Sequence, residues 1–137
     1  MPLSADTSTT QSDEQHVWEV VEAFNRAFAA GDVERYFSFI DKEITVLTPS
    51  NPYRIEGSAD DREEFEWGLR VGTGKVGYFQ ELQPHICVSG SMALVTYYSR
   101  GSYGGEGVGK TLYLKETDVL IRRQDTWKIL HIHVSAS

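Results

Sequence analysis

The chain of 137 residues holds one cysteine, Cys87. A lone thiol closes no internal disulfide, so the fold draws nothing from an oxidising compartment. Positive charge is also scarce. Thirteen Lys and Arg stand against 20 Asp and Glu, for a formal net charge of −7. A field of that sign repels phosphate backbones and anionic lipid headgroups. The densest basic group is Arg122 and Arg123, and neighbours on a strand point to opposite faces. Nucleic acid and membrane surfaces are therefore not the expected partners. Long apolar runs are missing too, and none approaches membrane-spanning length. The opening MPLSADTSTTQSDE has neither the basic start nor the apolar stretch of a signal peptide. The expected location is the cytoplasm.

What is present suits a single folded domain. Hydrophobic residues make up 40%, aromatics 12% and charged residues 24%, enough apolar material for one core at this length. Residues 1–12 are rich in Ser, Thr and Asp and read as a mobile tail, leaving 13–137 as the domain. Ser12 and Gln15 are placed to form a capping box. From Asp13 to Ala30, Val17, Trp18, Val20, Val21, Phe24, Ala27 and Phe28 recur at helical spacing. Gly31 stops that helix and Asp32 caps a second, which carries Val33, Tyr36, Phe37 and Ile40. Strands are expected at 43–47 and 53–56. Ser58 then reads as the cap of a third helix, with Asp60, Asp61, Glu63 and Glu64 near its positive end.

The remainder alternates as antiparallel strands at 76–88, 92–103, 110–123 and 127–135, with a flexible GGEGVG connection before the third. Helices gathered ahead of an antiparallel sheet predict an α+β fold with the helices on one face. A curved sheet capped by three N-terminal helices on its concave side encloses a cone, a natural place for a small molecule.

The segment AFAAGDVERYFSFI followed by EITVLTP resembles the start of SnoaL-like members of the nuclear transport factor 2-like (cystatin-like) superfamily. The stretch GKTLYLKETDVLIRRQDTWKILHIHVS resembles the end of the association (hub) domain of calcium/calmodulin-dependent protein kinase type II. The residues that carry the match are Lys110, Thr111, Glu116, Thr117, Arg122, Arg123, Trp127, His131, His133 and Ser135, with PHICVSG (84–90) matching as well. The resemblance implies a cone-shaped domain that pairs with itself, as a homodimer or larger ring. It also implies departures. The hub pocket is lined by arginines, a histidine and an acid. Here the matching positions hold Ser99, Asp118 and Val134, then Cys87, then Thr48. The carboxylate base and the tyrosine of the ketosteroid isomerase branch fall on Thr48 and Phe24.

Asp118 is the first candidate for chemistry. The matching family position faces the interior, where a carboxylate has a raised pKa and serves as general base or acid. The alternative is pairing with Arg122 or Arg100. His85 and Cys87 share one face of their strand, inward by the family comparison, so His85 is the candidate acid/base partner. Tyr97, Ser99, Thr48, Cys87, Arg122 and Trp67 complete the set of candidate ligand contacts. On the last strand Leu130, Ile132 and Val134 are assigned to the interior. His131 and His133, with positions 127 and 129, go to the outer face, as interface residues rather than metal ligands. The expected function is cofactor-free acid/base chemistry on a small apolar carbonyl compound, of isomerase, cyclase or dehydratase type. The alternative is a non-catalytic, homo-oligomeric association or ligand-binding module.

Overall fold

The computed structural model describes the backbone of residues 2–104 and 109–137, and side chains from residue 13 onward. The backbone is helical from Pro2, ahead of the Asp13 start that the sequence suggested; the side chains of the expected tail, the Ser12 cap among them, lie outside that set, and so does most of the GGEGVG connection. Three helices, α1 (Pro2–Ala30), α2 (Val33–Ser38) and α3 (Ser58–Val71), precede or interrupt six strands. These are β1 (Ile40–Leu47), β2 (Ile55–Glu56), β3 (Val76–Ser89), β4 (Met92–Tyr103), β5 (Lys110–Arg123) and β6 (Thr126–Ala136). They form one curved, unclosed sheet in the order β2-β1-β6-β5-β4-β3. Among the described residues only the β1–β6 pair is parallel. The expected α+β architecture is thus the one observed. No helix among the described residues is long and apolar enough to cross a membrane.

α1 presents Val17, Val21, Phe24 and Ala27 as one buried stripe, the spacing a helix needs to lay one face on a sheet. Burying each of its larger apolar side chains contributes about 1.5–3 kcal/mol. At the end of α1, Gly31 takes φ 67°. Its N–H donates to Phe28 O at 3.1 Å, and Asp32 N–H donates to Ala27 O at 3.0 Å. That double bond pattern is a Schellman stop. Asp32 then caps α2, its carboxylate accepting from Arg35 N–H at 3.2 Å.

Three expectations are corrected. The cap of α3 is Gly57 at φ 91° and no side chain caps it; Ser58 is the first helical residue. Ile40 opens β1 instead of ending α2, because Phe39 O accepts from Ile129 N–H and ties the chain to β6 there. On β6, Trp127 and Ile129 are buried in the core, not turned outward. The register slips between Val119/His131 and Leu120/Ile129, which makes Leu130 an extra residue. One extra residue reverses the alternation, so Trp127 and Ile129 face inward before the bulge and Ile132 after it.

Candidate functional site

β4 and β5 pair without slippage from Met92/Ile121 to Tyr103/Lys110. Strict alternation then sends Ala93, Val95, Tyr97 and Ser99 to one face, and from β5 Glu116, Asp118 and Leu120. Opposite neighbours are Val95/Asp118 and Tyr97/Glu116. β3 adds Glu81, opposite Ser99, and α1 adds Asn25 from within its apolar stripe.

These side chains form one hydrogen-bonded line. Asn25 Nδ2 donates to Glu81 Oε2 at 3.0 Å and to Tyr97 Oη at 3.0 Å. Tyr97 Oη donates to Asp118 Oδ2 at 3.2 Å. Trp18 stands edge-on to the Tyr97 ring, centroids 5.9 Å apart, and closes that side with apolar surface. Asp118 is 0% exposed and its Oδ1 has no partner; Ser99 Oγ, also buried, has none either.

The electrostatics follow from burial without a counter-charge. Burial pushes the Asp118 carboxyl well above the ordinary carboxylate range, and the adjacent Glu116 charge pushes it further. Burial raises Glu116 too, while the neighbouring Asp118 and Tyr97 groups draw it back. Both carboxyls are therefore pushed toward the protonated form, Asp118 the more strongly. The Tyr97 phenol is raised by burial and then by the Asp118 and Glu116 charges. Deeper in, Asp61 of α3 is buried with its Oδ2 unpartnered. Burial, then the Asp60 and Glu64 charges, push it up to about 7. Burial also raises the Tyr36 phenol, followed by Asp61, Glu116 and Asp118. In chemical terms, the arrangement sets two buried carboxyls side by side without a counter-charge, with Tyr97 hydrogen-bonded to Asp118.

Of the candidate residues, Asp118, Tyr97 and Ser99 lie inside and the rest do not join them. The arginines that compete for Asp118 are engaged elsewhere: Arg122 pairs with Asp13 at 3.0 Å and Arg100 donates to Gln80 at 2.7 Å. Arg122 also lies over Trp127, 5.0 Å from the ring centroid. His85 and Cys87 are exposed, and their inward placement is corrected. They pair with Thr96 and Leu94, while Ile86 pairs with the buried Val95. The cause is a register shift between Leu82 and His85, where Gln83 adopts φ 52°. Glu81, before the shift, faces the interior; His85, after it, faces out. Thr48 is half-buried at the end of β1, beside Ser50 at 3.2 Å. Trp67 is 55% exposed on α3, under Arg70.

His131 and His133 sit on the outer face with ring centroids 6.4 Å apart, and His131 Nδ1 shares a 2.7 Å hydrogen bond with Thr45 Oγ1. Among the described residues no group of three His, Cys, Asp or Glu is placed to hold a metal ion. A hollow of about 210 Å³ is lined by Gln83 and by the adjoining Thr96–Tyr98 and Lys115–Thr117 segments. Its lining mixes polar and charged residues, unlike the apolar enclosed cavity that the sequence suggested.

Glu116, Glu81, Asn25 and Asp61 were not among the sequence candidates. Glu116 was the most legible, two residues from Asp118 and so on the same face. Asn25 was signalled by a polar residue amid the buried positions of α1. Glu81 was hidden by the shift at Gln83, and Asp61 by its place among surface acids that favour a helix start.

Comparison with known proteins bears on the family and the fold. The sequence model of the calcium/calmodulin dependent protein kinase II association domain matches residues 13–137. The calcium/calmodulin-dependent protein kinase type II subunit delta of Oryctolagus cuniculus is 30% identical over 140 residues, covering 96% of this chain. The chain spans only 26% of that relative's length. Among solved structures, a putative dehydratase of the NTF2-like family from Streptomyces avermitilis has TM-score 0.81 at 22% identity, covering 93% of this chain and 97% of that one. The CaMKII hub of S. rosetta has TM-score 0.77 at 23% identity, covering 90% and 96%. Enzyme-like and hub proteins thus share this fold.

Proposed function

The chain belongs to the calcium/calmodulin dependent protein kinase II association domain family, and we propose on that premise that it is a self-association module. The observation that carries this reading is the outer face of the sheet. Met92, Leu94, Tyr98 and Tyr113 stand 38%, 45%, 46% and 57% exposed on adjacent strands β4 and β5. Leu94 is directly opposite Val119, and Met92 opposite Ile121. Several large apolar side chains exposed on one sheet face mark an interaction surface. A second copy is the partner the family relationship supplies. His131 and His133 flank the patch from β6. Sedimentation velocity at about 10 µM, well within the range of stable interfaces, is expected to show an oligomer. Leu94→Asp with Tyr98→Glu, both at exposed positions, is expected to give a folded monomer. A monomeric wild-type chain would overturn the reading.

A second reading, acid/base chemistry on a small apolar carbonyl compound, is favoured by Asp118. It is fully buried, is pushed toward its protonated form by burial and is held by Tyr97. Here Asp118 serves as the acid and Glu116 as the acceptor, with Tyr97 orienting the carbonyl. His85, being on the outer face, plays no part.

A further inference from the structure

The buried charged side chains of this chain are all acidic: Asp41, Asp61, Glu116 and Asp118. Asp41 is matched by Arg123 at 2.8 Å. The interior carboxyls Asp61, Glu116 and Asp118, with the half-exposed Glu81, have no ion-pair partner among the described residues. No Lys, Arg or His is buried there. Residues 1–12 and 105–108 contain no Lys, Arg or His that could complete the set. Within the acidic cluster two buried oxygens have nothing to bond. Asp118 Oδ1 enters from β5, and Ser99 Oγ enters from β4 on the residue opposite Glu81.

A buried carboxyl is ordinarily paired with a cation or holds a proton. Hydrogen-bond donors are also in short supply. Asn25 and Tyr97 supply the ones seen, and they leave Asp118 Oδ1 and Ser99 Oγ open. A group with positive charge and several N–H donors is what this interior lacks. An ammonium offers three donors on a compact centre. Glu81 is half-exposed and stands at the solvent end of the line.

We propose that the interior of the cone is a receptor for a small primary ammonium compound, its head bound by Asp118 and Glu116 and guided in by Glu81. The apolar stem lies against Trp18 and the surrounding core. This site is on the concave side of the sheet and stands apart from the self-association patch. It shares Asp118 with the acid/base reading but requires no turnover.

The test uses the whole chain with n-butylammonium chloride as probe, and sodium butyrate, the same stem with the opposite charge, as control at matched ionic strength. Thermal unfolding and titration calorimetry are the readouts, and sedimentation is run in parallel to show that the oligomer is unaltered. The expected result is a rise in Tm with n-butylammonium, growing with its logarithmic concentration, and no rise with butyrate. Asp118→Asn is expected to weaken n-butylammonium binding by about tenfold or more, the loss of one charge-assisted hydrogen bond. Should that variant not fold, Glu81→Gln at its half-exposed position carries the test, with a loss in the same direction. Equal shifts with butyrate, no shift with either probe, or undiminished binding by the variant that folds would each overturn the proposal.

Discussion

Asp61 offers the sharpest quantitative prediction, because its burial is not offset by any partner at Oδ2. Its carboxyl is pushed from 3.8 up to about 7 by burial first, then by Asp60 and Glu64. Between those values the native chain holds a proton that the unfolded chain has released. Stability therefore falls as pH rises through that window, is fully present below the lower value and is lost above the upper one. A shift of about three units at about 1.4 kcal/mol each makes the fall at most about 4 kcal/mol. Asp61→Asn removes the titration and substitutes a fixed cost of about 1–3 kcal/mol for a buried amide. The other buried acids titrate equally in both proteins and cancel in the difference. The assay is urea unfolding of both, at one protein concentration, from about pH 4.5 to about pH 8. The wild type is expected to be the more stable at the acid end. The gap should close with rising pH and reverse by the alkaline end. A stability difference that stays constant across this range would refute the reasoning.

Gly101→Ala is expected to destabilise by about 1–3 kcal/mol through overpacking. The added Cβ would lie 2.9 Å from the Tyr78 carbonyl oxygen and 3.2 Å from the Tyr103 ring; an unchanged urea midpoint would show that β3 yields freely there. If the acid/base reading holds, Asp118→Asn is expected to lower turnover of an apolar carbonyl substrate by about 10²–10⁴-fold with the far-UV spectrum unchanged. Undiminished turnover would remove Asp118 from that role.

What the sequence displayed depended on whether backbone geometry followed side-chain chemistry. The bounds of β4 and β5 were legible to the residue, because alternation is unbroken between two turns. The Gly31 stop and the Asp32 cap were legible because few other residues satisfy those geometries. Asp118 was legible because the matching family position faces the interior. The misplacements trace to two irregularities without a sequence signal. Gln83 adopts positive φ although it is neither Gly nor Asn. Leu130 is the inserted residue of a bulge although it looks like any other apolar strand position. Each reverses the faces on its far side: alternation carried across the bulge misplaced Trp127 and Ile129, and the family comparison misplaced His85 and Cys87. The α3 cap was misplaced for a simpler reason: Gly57 at φ 91° already turns the chain and leaves Ser58 nothing to cap.

The two irregularities also divide the molecule chemically. The shift in β3 keeps Glu81 inside and turns His85 and Cys87 out. The bulge in β6 keeps Trp127 inside and turns His131 out. All three strand histidines therefore stand on the face that carries Leu94 and Tyr98, while the unpaired carboxyls stand on the other. β5 alone serves both sides, offering Glu116 and Asp118 inward and Val119 outward in a single unbroken alternation. A substitution on its outer side leaves the inner side chains in place as long as the register with β4 is kept. The proposed self-association and the proposed occupancy of the interior are then separable by substitution on one sheet. A chain that retains an outer patch for pairing remains free to change the charge of its interior.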